Sequence, residues 1–316
     1  MLLNLIKNLD LVQFKSGTIL VNDILSAADL RDYDLLAKKI AAVPHYFVGR
    51  NQTAYSPMVL GHYVNELVRR VDPKKRTIEQ FIREEINTPL NVDFYYTVTK
   101  EELETKVGKI YPFPNVRLAY LAFNTLVVEP IRLMLGYKPR YECIYFKNIL
   151  DDTNLMGKAF RVYEKEYAID HVNTFEANSL LMPASHLKTN AHSIAKLSAL
   201  IANGGEIDGV RLLSKATVDK MLEVQEPQLD HALNKTYSRV RGGWAYFDHN
   251  SDPEEIRGNT NYIGWQGFGG SVFYFNPKKQ FGFSYVMNGL GSPTKDVDPR
   301  AIRLISTFYE LIENDN

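Results

Sequence analysis

The sequence predicts an α+β protein, one domain with a mainly helical part over residues 1–235 and antiparallel strands plus a closing helix over residues 236–316. Three observations carry this reading. A chain of 316 residues that is 45% apolar and 12% aromatic can bury a sizeable core. Through most of its length the apolar residues recur every three or four positions, the period of a helix. After about residue 240 aromatic and small residues alternate, the period of a strand.

Composition removes several functions. Lys+Arg 37 against Asp+Glu 37 leaves no net charge, so nothing in the sum draws the chain toward nucleic acid or an anionic membrane surface. One cysteine, Cys143, excludes an intrachain disulfide and fits a reducing compartment. The first ten residues lack a long apolar run followed by small residues, so a cytoplasmic location is expected, with an organelle as the alternative. The longest apolar stretch, 118–128, is interrupted by Asn124 and closed by Glu129-Pro130, well short of the roughly 20 residues a membrane span needs.

The elements follow in order. Val59/Leu60, Tyr63/Val64, Leu67/Val68 and Val71 make one helical face, ending near Asp72-Pro73. Thr77, three residues before Gln80, forms a capping box for a second helix through Ile78, Phe81/Ile82 and Ile86, stopped by Pro89. Residues 100–175 read as helical, with a kink at Pro130. Thr189 or Asn190 caps a helix with Ala191, Ile194/Ala195, Leu197 and Leu200/Ile201 inward, which Asn203-Gly204-Gly205 ends. Ser214 caps another with Val218 and Met221/Leu222 inward. Strands are expected at 244–247, 261–265, 271–275 and 281–287, with Asn276-Pro277-Lys278-Lys279 as a hairpin turn. Asp298 then caps a last helix that opens on Pro299 and turns Ile302, Ile305, Phe308/Tyr309 and Ile312 to one side.

Four segments carry chemistry. They are Asp10-Leu11-Val12-Gln13-Phe14-Lys15-Ser16-Gly17, Tyr55-Ser56-Pro57 running into Glu66-Leu67-Val68-Arg69-Arg70, the stretch 189–209 with its Asn-Gly-Gly, and Gly264-Trp265-Gln266-Gly267-Phe268-Gly269-Gly270-Ser271. In this order they resemble the D-L-L-x-H-x-S-G, Tyr, L-A-N-G-G and G-H-G-G-x-G-G-S segments of the serine β-lactamase, penicillin-binding-protein and esterase superfamily, in its class C-like branch. The resemblance implies a β-lactamase/transpeptidase-like fold: an antiparallel sheet flanked by helices, with a helical subdomain. It also implies acyl transfer on esters, amides or β-lactams: the Ser of an S-x-x-K motif attacks a carbonyl, while the Lys and a Tyr handle its proton. Tyr55 falls at the position of that Tyr, and Trp265, Gln266, Gly267, Gly269 and Gly270 fall on the substrate-binding strand.

The match departs from the pattern in three places. The S-x-x-K helix should precede the segment that here begins at Asp10, so the N-terminal strands and nucleophile helix are expected to be missing, through truncation or because the chain is a pseudoenzyme. Two literal S-x-x-K strings, at Ser185/Lys188 and Ser193/Lys196, both follow the Tyr segment, out of family order. Pro57 removes a hydrogen-bonding side chain, and Trp265-Gln266 replaces His-Gly, so a bulky pair fills the place where substrate would lie.

Read as residues alone, Tyr55 is equally a packed aromatic or an acid or base, and the three glycines serve strand packing and a bulge. The histidines, with His186 and His192 six apart, do not suggest a metal site, and no cofactor is expected. The leading expectation is a family member without a complete catalytic set. The alternatives are a non-catalytic binding or scaffolding protein, and an esterase with an unorthodox serine such as Ser56 or Ser185. A small-molecule ester or amide is the expected ligand, and self-association is expected through the sheet edge that missing strands would leave unpaired.

Overall fold

The structure is a computed structural model, and it describes residues 11–47, 52–167, 171–248, 251, 261–291 and 298–314. Residues 1–10, with Asp10 of the first motif, and His249 lie outside them.

The chain opens with two short helices, α1 (Ala27–Arg31), capped by Ser26 in a reciprocal box with Asp29, and α2 (Tyr33–Ala41), capped by Asp32. α3 (Leu60–Val71) packs on them, but its buried face is rotated from the expected apolar stripe: Val71 is 67% exposed while His62 and Asn65 are buried. Both polar groups are satisfied inside. Asn65 Oδ1 accepts the Ile78 N–H at 2.9 Å, and His62 Nε2 lies 2.8 Å from the Tyr163 hydroxyl.

Thr77 and Gln80 form the expected capping box for α4 (Ile78–Ile82). The helix does not stop before Pro89, however: it widens into a π turn, Arg83–Asn87, and continues as α5 (Thr88–Leu90). β1 (Phe94–Tyr95) and α6 (Lys100–Thr105) follow, then α7 (Asn115–Phe123), a second π turn (Asn124–Val128) and α8 (Glu129–Met134) around Pro130. In both places the wide turn sits just upstream of a proline, where a ring without an N–H would clash in a regular α-turn. α9 (Tyr141–Leu150), α10 (Leu155–Phe160) and α11 (Phe175–Ser179) lead to β2 (Lys188–Thr189), which pairs antiparallel with β1.

Asn190 caps α12 (Ala191–Ala202), and Gly204 and Gly205 end it at φ +70° and +92°. The hairpin β3 (Glu206–Ile207) and β4 (Val210–Arg211), α13 (Lys215–Met221) capped by Ser214, and the hairpin β5 (Gln228–Asp230) and β6 (Lys235–Tyr237) precede the main sheet.

That sheet consists of β7 (Ala245–Phe247), β8 (Tyr262–Gln266), β9 (Val272–Asn276) and β10 (Phe281–Tyr285), antiparallel in the order β10-β9-β8-β7. Alternation sorts its side chains. Phe247, Tyr262, Val272 and Tyr274 meet Ala301, Ile302, Ile305 and Tyr309 of α14 (Pro299–Asn314), whereas Ile263 and Phe275 meet Leu200 and Ile201 of α12. Gly282 lets α12 close down on β10, because a Cβ there would lie 2.4 Å from Ala195 O and from Ala199 N. The β7 edge is covered by residues 238–240, with Tyr246 N–H donating to Ser238 O at 2.9 Å. No strand pairs beyond β10 among the described residues.

Candidate active site

Tyr55 stands where an extended segment enters α3, and three parts of the chain fix it there. Thr53 bridges Asp230 in parallel, its hydroxyl donates to Leu229 O at 2.9 Å, and the Tyr55 N–H donates to Asp230 Oδ1 at 3.0 Å. Asp230 has no exposure and also accepts the Ala232 and Leu233 N–H groups at 3.0 Å each. Its other oxygen takes Arg239 at 2.8 Å. The carboxylate is therefore a junction that ties the Tyr55 backbone to the β5–β6 hairpin.

Aromatic rings close over this junction. The Tyr55 ring lies 5.3 Å from Phe14 and 5.5 Å from Trp265, and Trp265 lies 5.7 Å from Tyr237. The Arg239 guanidinium sits 5.1 Å from the Phe14 ring, 5.0 Å from Tyr237 and 5.5 Å from Trp265, a cation boxed by three π faces. Phe14 takes φ +60°, a conformation a bulky residue adopts only under constraint. Its N–H donates to Leu11 O and its carbonyl accepts the Ala54 N–H, both at 3.1 Å, so the ring is locked over Tyr55. Burial pushes the Tyr55 phenol above its ordinary value, opposed by a hydrogen bond that the Trp265 indole N–H donates.

The other expected site residues part from this group. Alternation along β8 turns Gln266 to the opposite face from Trp265, where its Nε2 donates to the Tyr274 hydroxyl at 2.9 Å. Gly267, Gly269 and Gly270 do not form a bulge: they make the loop from β8 to β9, closed by Gly267 N–H to Ser271 O at 2.7 Å. Gly269 and Gly270 have φ +95° and +115°, and a Cβ on Gly270 would meet Asp298 Cβ at 2.7 Å. Beside the box an open crevice of about 230 Å³ is lined by Gln13, Lys15, Thr53, Gln228, Tyr237 and Arg239.

The candidate serines are occupied in different ways. Ser56 is buried and donates to Thr18 O at 3.0 Å. Ser193 is buried and accepts the Asp93 N–H at 2.9 Å, while Lys196 pairs with Asp208 at 2.7 Å. Ser185 is exposed, with its Oγ 2.9 Å from His186 Nδ1. His186 is buried and held down at about 4, chiefly by desolvation, and its Nε2 has no hydrogen-bond partner among the described residues. The tautomer of His186 decides whether it or Ser185 donates in that bond. Lys188 is drawn down to about 8 by burial, and its ammonium donates to Tyr96 O at 2.6 Å.

No cluster of metal-ligating side chains occurs among the described residues, and no helix among them is long and apolar enough to cross a membrane. Phe14, Asp230, Tyr237 and Arg239 were not signalled by the sequence as members of the site. Phe14 alone had a cue, since it lies in the first of the segments that carry the resemblance.

Comparison with known proteins agrees with this geometry at the level of fold. The chain is similar to the esterase/beta-lactamase LipL of Mycobacterium tuberculosis (strain ATCC 25618 / H37Rv), 24% identical over 267 residues, which are 84% of this chain and 54% of LipL. It thus spans about half the length of that relative. Among solved structures it resembles EstA from Arthrobacter nitroguajacolicus Rue61a (TM-score 0.72, 18% identity, 96% of this chain and 72% of that one). A family VIII carboxylesterase (0.67, 21%, 95% and 70%) and a penicillin-binding-protein homologue from Caulobacter crescentus (0.64, 22%, 96% and 70%) share the same β-lactamase/transpeptidase-like fold. The Beta-lactamase family model matches residues 10–307, from the motif that holds Phe14 to the helix that backs the sheet, and the chain belongs to that family.

Proposed function

We propose that this 316-residue chain is a non-hydrolytic member of its family, in which the position of the catalytic tyrosine has become a packed junction. One observation carries the reading. Tyr55 is held between the Phe14 and Trp265 rings, over a buried Asp230–Arg239 pair, and this packing leaves its phenol no open acyl site to serve. The relatives named as esterase/beta-lactamase and carboxylesterase support an ester or amide as the ligand class from which the site derives.

A second reading rests on Ser185, an exposed hydroxyl bonded to a histidine. A fluorophosphonate serine-hydrolase probe separates the two, because only an activated serine is labelled. The expected result is no labelling, and hydrolysis of nitrocefin and p-nitrophenyl esters no faster than by a heat-denatured control. Labelling or turnover lost on Ser185→Ala overturns the first reading and establishes the second, and loss on Ser56→Ala overturns both.

A further inference from the structure

Between α6 and α7, residues 107–113 form neither helix nor strand, and they run as a strap to the loop that joins β8 to β9. Three fasteners hold the strap. The Asn173 side chain grips Ile110, its Oδ1 accepting the Ile110 N–H and its Nδ2 donating to Ile110 O, both at 2.8 Å. Residues 288–290 pair beside it. The Tyr111 N–H donates to Asn288 O at 2.7 Å, the Leu290 N–H to Tyr111 O at 3.0 Å, and Asn288 Nδ2 to Lys109 O at 3.0 Å. Phe113 sets its ring nearly perpendicular to that of Phe268, centroids 5.3 Å apart, and Phe160 lies 6.3 Å from the same ring.

The strap bears on the loop in two ways. Phe113 touches Phe268 directly. Leu290, bonded to Tyr111, packs so closely on Gly269 that a Cβ there would lie 2.4 Å from its Cδ2, and the Gly291 N–H donates to Gly269 O at 2.8 Å. Phe268 and Gly269 belong to the segment that the resemblance assigns to substrate binding. The fasteners are of the kind that part before the fold does. Of residues 107–113 only Phe113 is buried, at 8% exposure, while Lys109, Tyr111, Asn173 and Asn288 are all exposed, so water can take over their hydrogen bonds. Little buried apolar surface together with exposed hydrogen bonds marks a segment that opens at a free energy well below that of unfolding.

We propose that residues 107–113 open as a unit, and that opening admits an ester- or amide-bearing ligand to the β8–β9 loop, where the Phe268 ring given up by Phe113 receives its apolar part. The ligand class rests on the reading of the site given above; the opening does not. A ligand that binds only the open form has its affinity scaled by the fraction of protein that is open. Weakening the fasteners then tightens binding. A strap that merely helped to build the site would do the reverse, and its loss would weaken binding.

Trypsin reads the opening in the full chain, because Lys109 is the one basic residue of the strap. Asn173→Ala removes both bonds to Ile110, and cleavage after Lys109 is expected to be about tenfold faster than in wild type, with the urea midpoint unchanged. Phe113→Ala, which removes the apolar fastener, is expected to accelerate the same cleavage. Quenching of tryptophan fluorescence by p-nitroacetanilide, an aryl amide, measures binding, and Asn173→Ala is expected to bind it about tenfold more tightly than wild type does. The proposal is overturned if cleavage after Lys109 is as slow in Asn173→Ala as in wild type, or if it accelerates only as far as a lower urea midpoint accounts for. It is equally overturned if cleavage accelerates and the amide binds no more tightly. That last result leaves the reading of the site to the fluorophosphonate probe, whose outcome does not depend on the strap.

Discussion

Asp230→Ala is the sharpest perturbation of the junction under Tyr55. The carboxylate has no exposure and Arg239 is 5% exposed, so removing it strands a guanidinium among Phe14, Tyr237 and Trp265 with no counter-charge. Breaking a buried pair in this way costs about 3–5 kcal/mol. Three backbone donors, on Tyr55, Ala232 and Leu233, lose their acceptor as well, which holds the loss toward the upper end of that range. For a chain of this size the expected fall in Tm is roughly 6–15 °C. Urea unfolding followed by tryptophan fluorescence reads the loss directly, because Trp244 and Trp265 are the two tryptophans and Trp265 touches the junction. The companion Asp230→Leu/Arg239→Met removes both charges and leaves only the backbone donors unmet. It is expected to be more stable than Asp230→Ala by at least about 1 kcal/mol. An Asp230→Ala protein within about 1 kcal/mol of wild type, or a double variant weaker than the single one, would refute the argument that the ion pair organises the site.

Three further outcomes are expected. Burial holds the imidazoles of His62 and His186 down at about 4 in the folded state, so the unfolded chain binds protons more readily below its ordinary value of about 6.5. Stability is then complete above about pH 6.5 and falls as the pH drops toward 4, by about 3 kcal/mol per histidine; denaturant midpoints at pH 7, 5.5 and 4 measure it, and His62→Gln should flatten the slope. Gly282→Ala places a Cβ 2.4 Å from the backbone of α12 and is expected to cost at least about 3 kcal/mol, seen as a lower Tm, whereas the same change at Gly136, where nothing lies within 4 Å, costs less than that despite its φ of +81°. Tyr55→Phe removes a phenol that bonds to Trp265 and is expected to change stability by no more than about 1.5 kcal/mol in urea unfolding, leaving the rings packed.

What the sequence made legible is what local period and packing on two sides dictate. β8 and β9 alternate because α14 presses on one face and α12 on the other, so a one-residue slip would exchange Tyr274 for Phe275 and expose each to the wrong neighbour. Caps were legible for a similar reason: the orphan N–H groups of a helix start need an oxygen at a fixed offset, which Thr77, Asn190 and Ser214 supply. The inward face of α3 was not legible from apolar spacing, because His62 and Asn65 are buried through single hydrogen bonds to Tyr163 and Ile78, and those partners lie 101 and 13 residues away. The end set at Pro89 was misplaced for a different reason: a π turn upstream makes room for the ring, as another does before Pro130 where a kink was expected, and no residue type marks such a turn.

The candidate site shows most plainly where one chain stops speaking about itself. Its residues come from positions 14, 55, 230–239 and 265, and each has an ordinary local explanation. An Asp and an Arg nine residues apart, flanking a hairpin, look like solvated turn charges; only closure of the hairpin on Thr53 makes them a buried pair. The replacement of His-Gly by Trp-Gln could be read as a loss. What stands there instead could not, since the indole needs Phe14, held at φ +60°, before the two rings can flank Tyr55. The rings at 14 and 265 therefore act as one unit over Tyr55. Removing either ring alone leaves Tyr55 packed against the other.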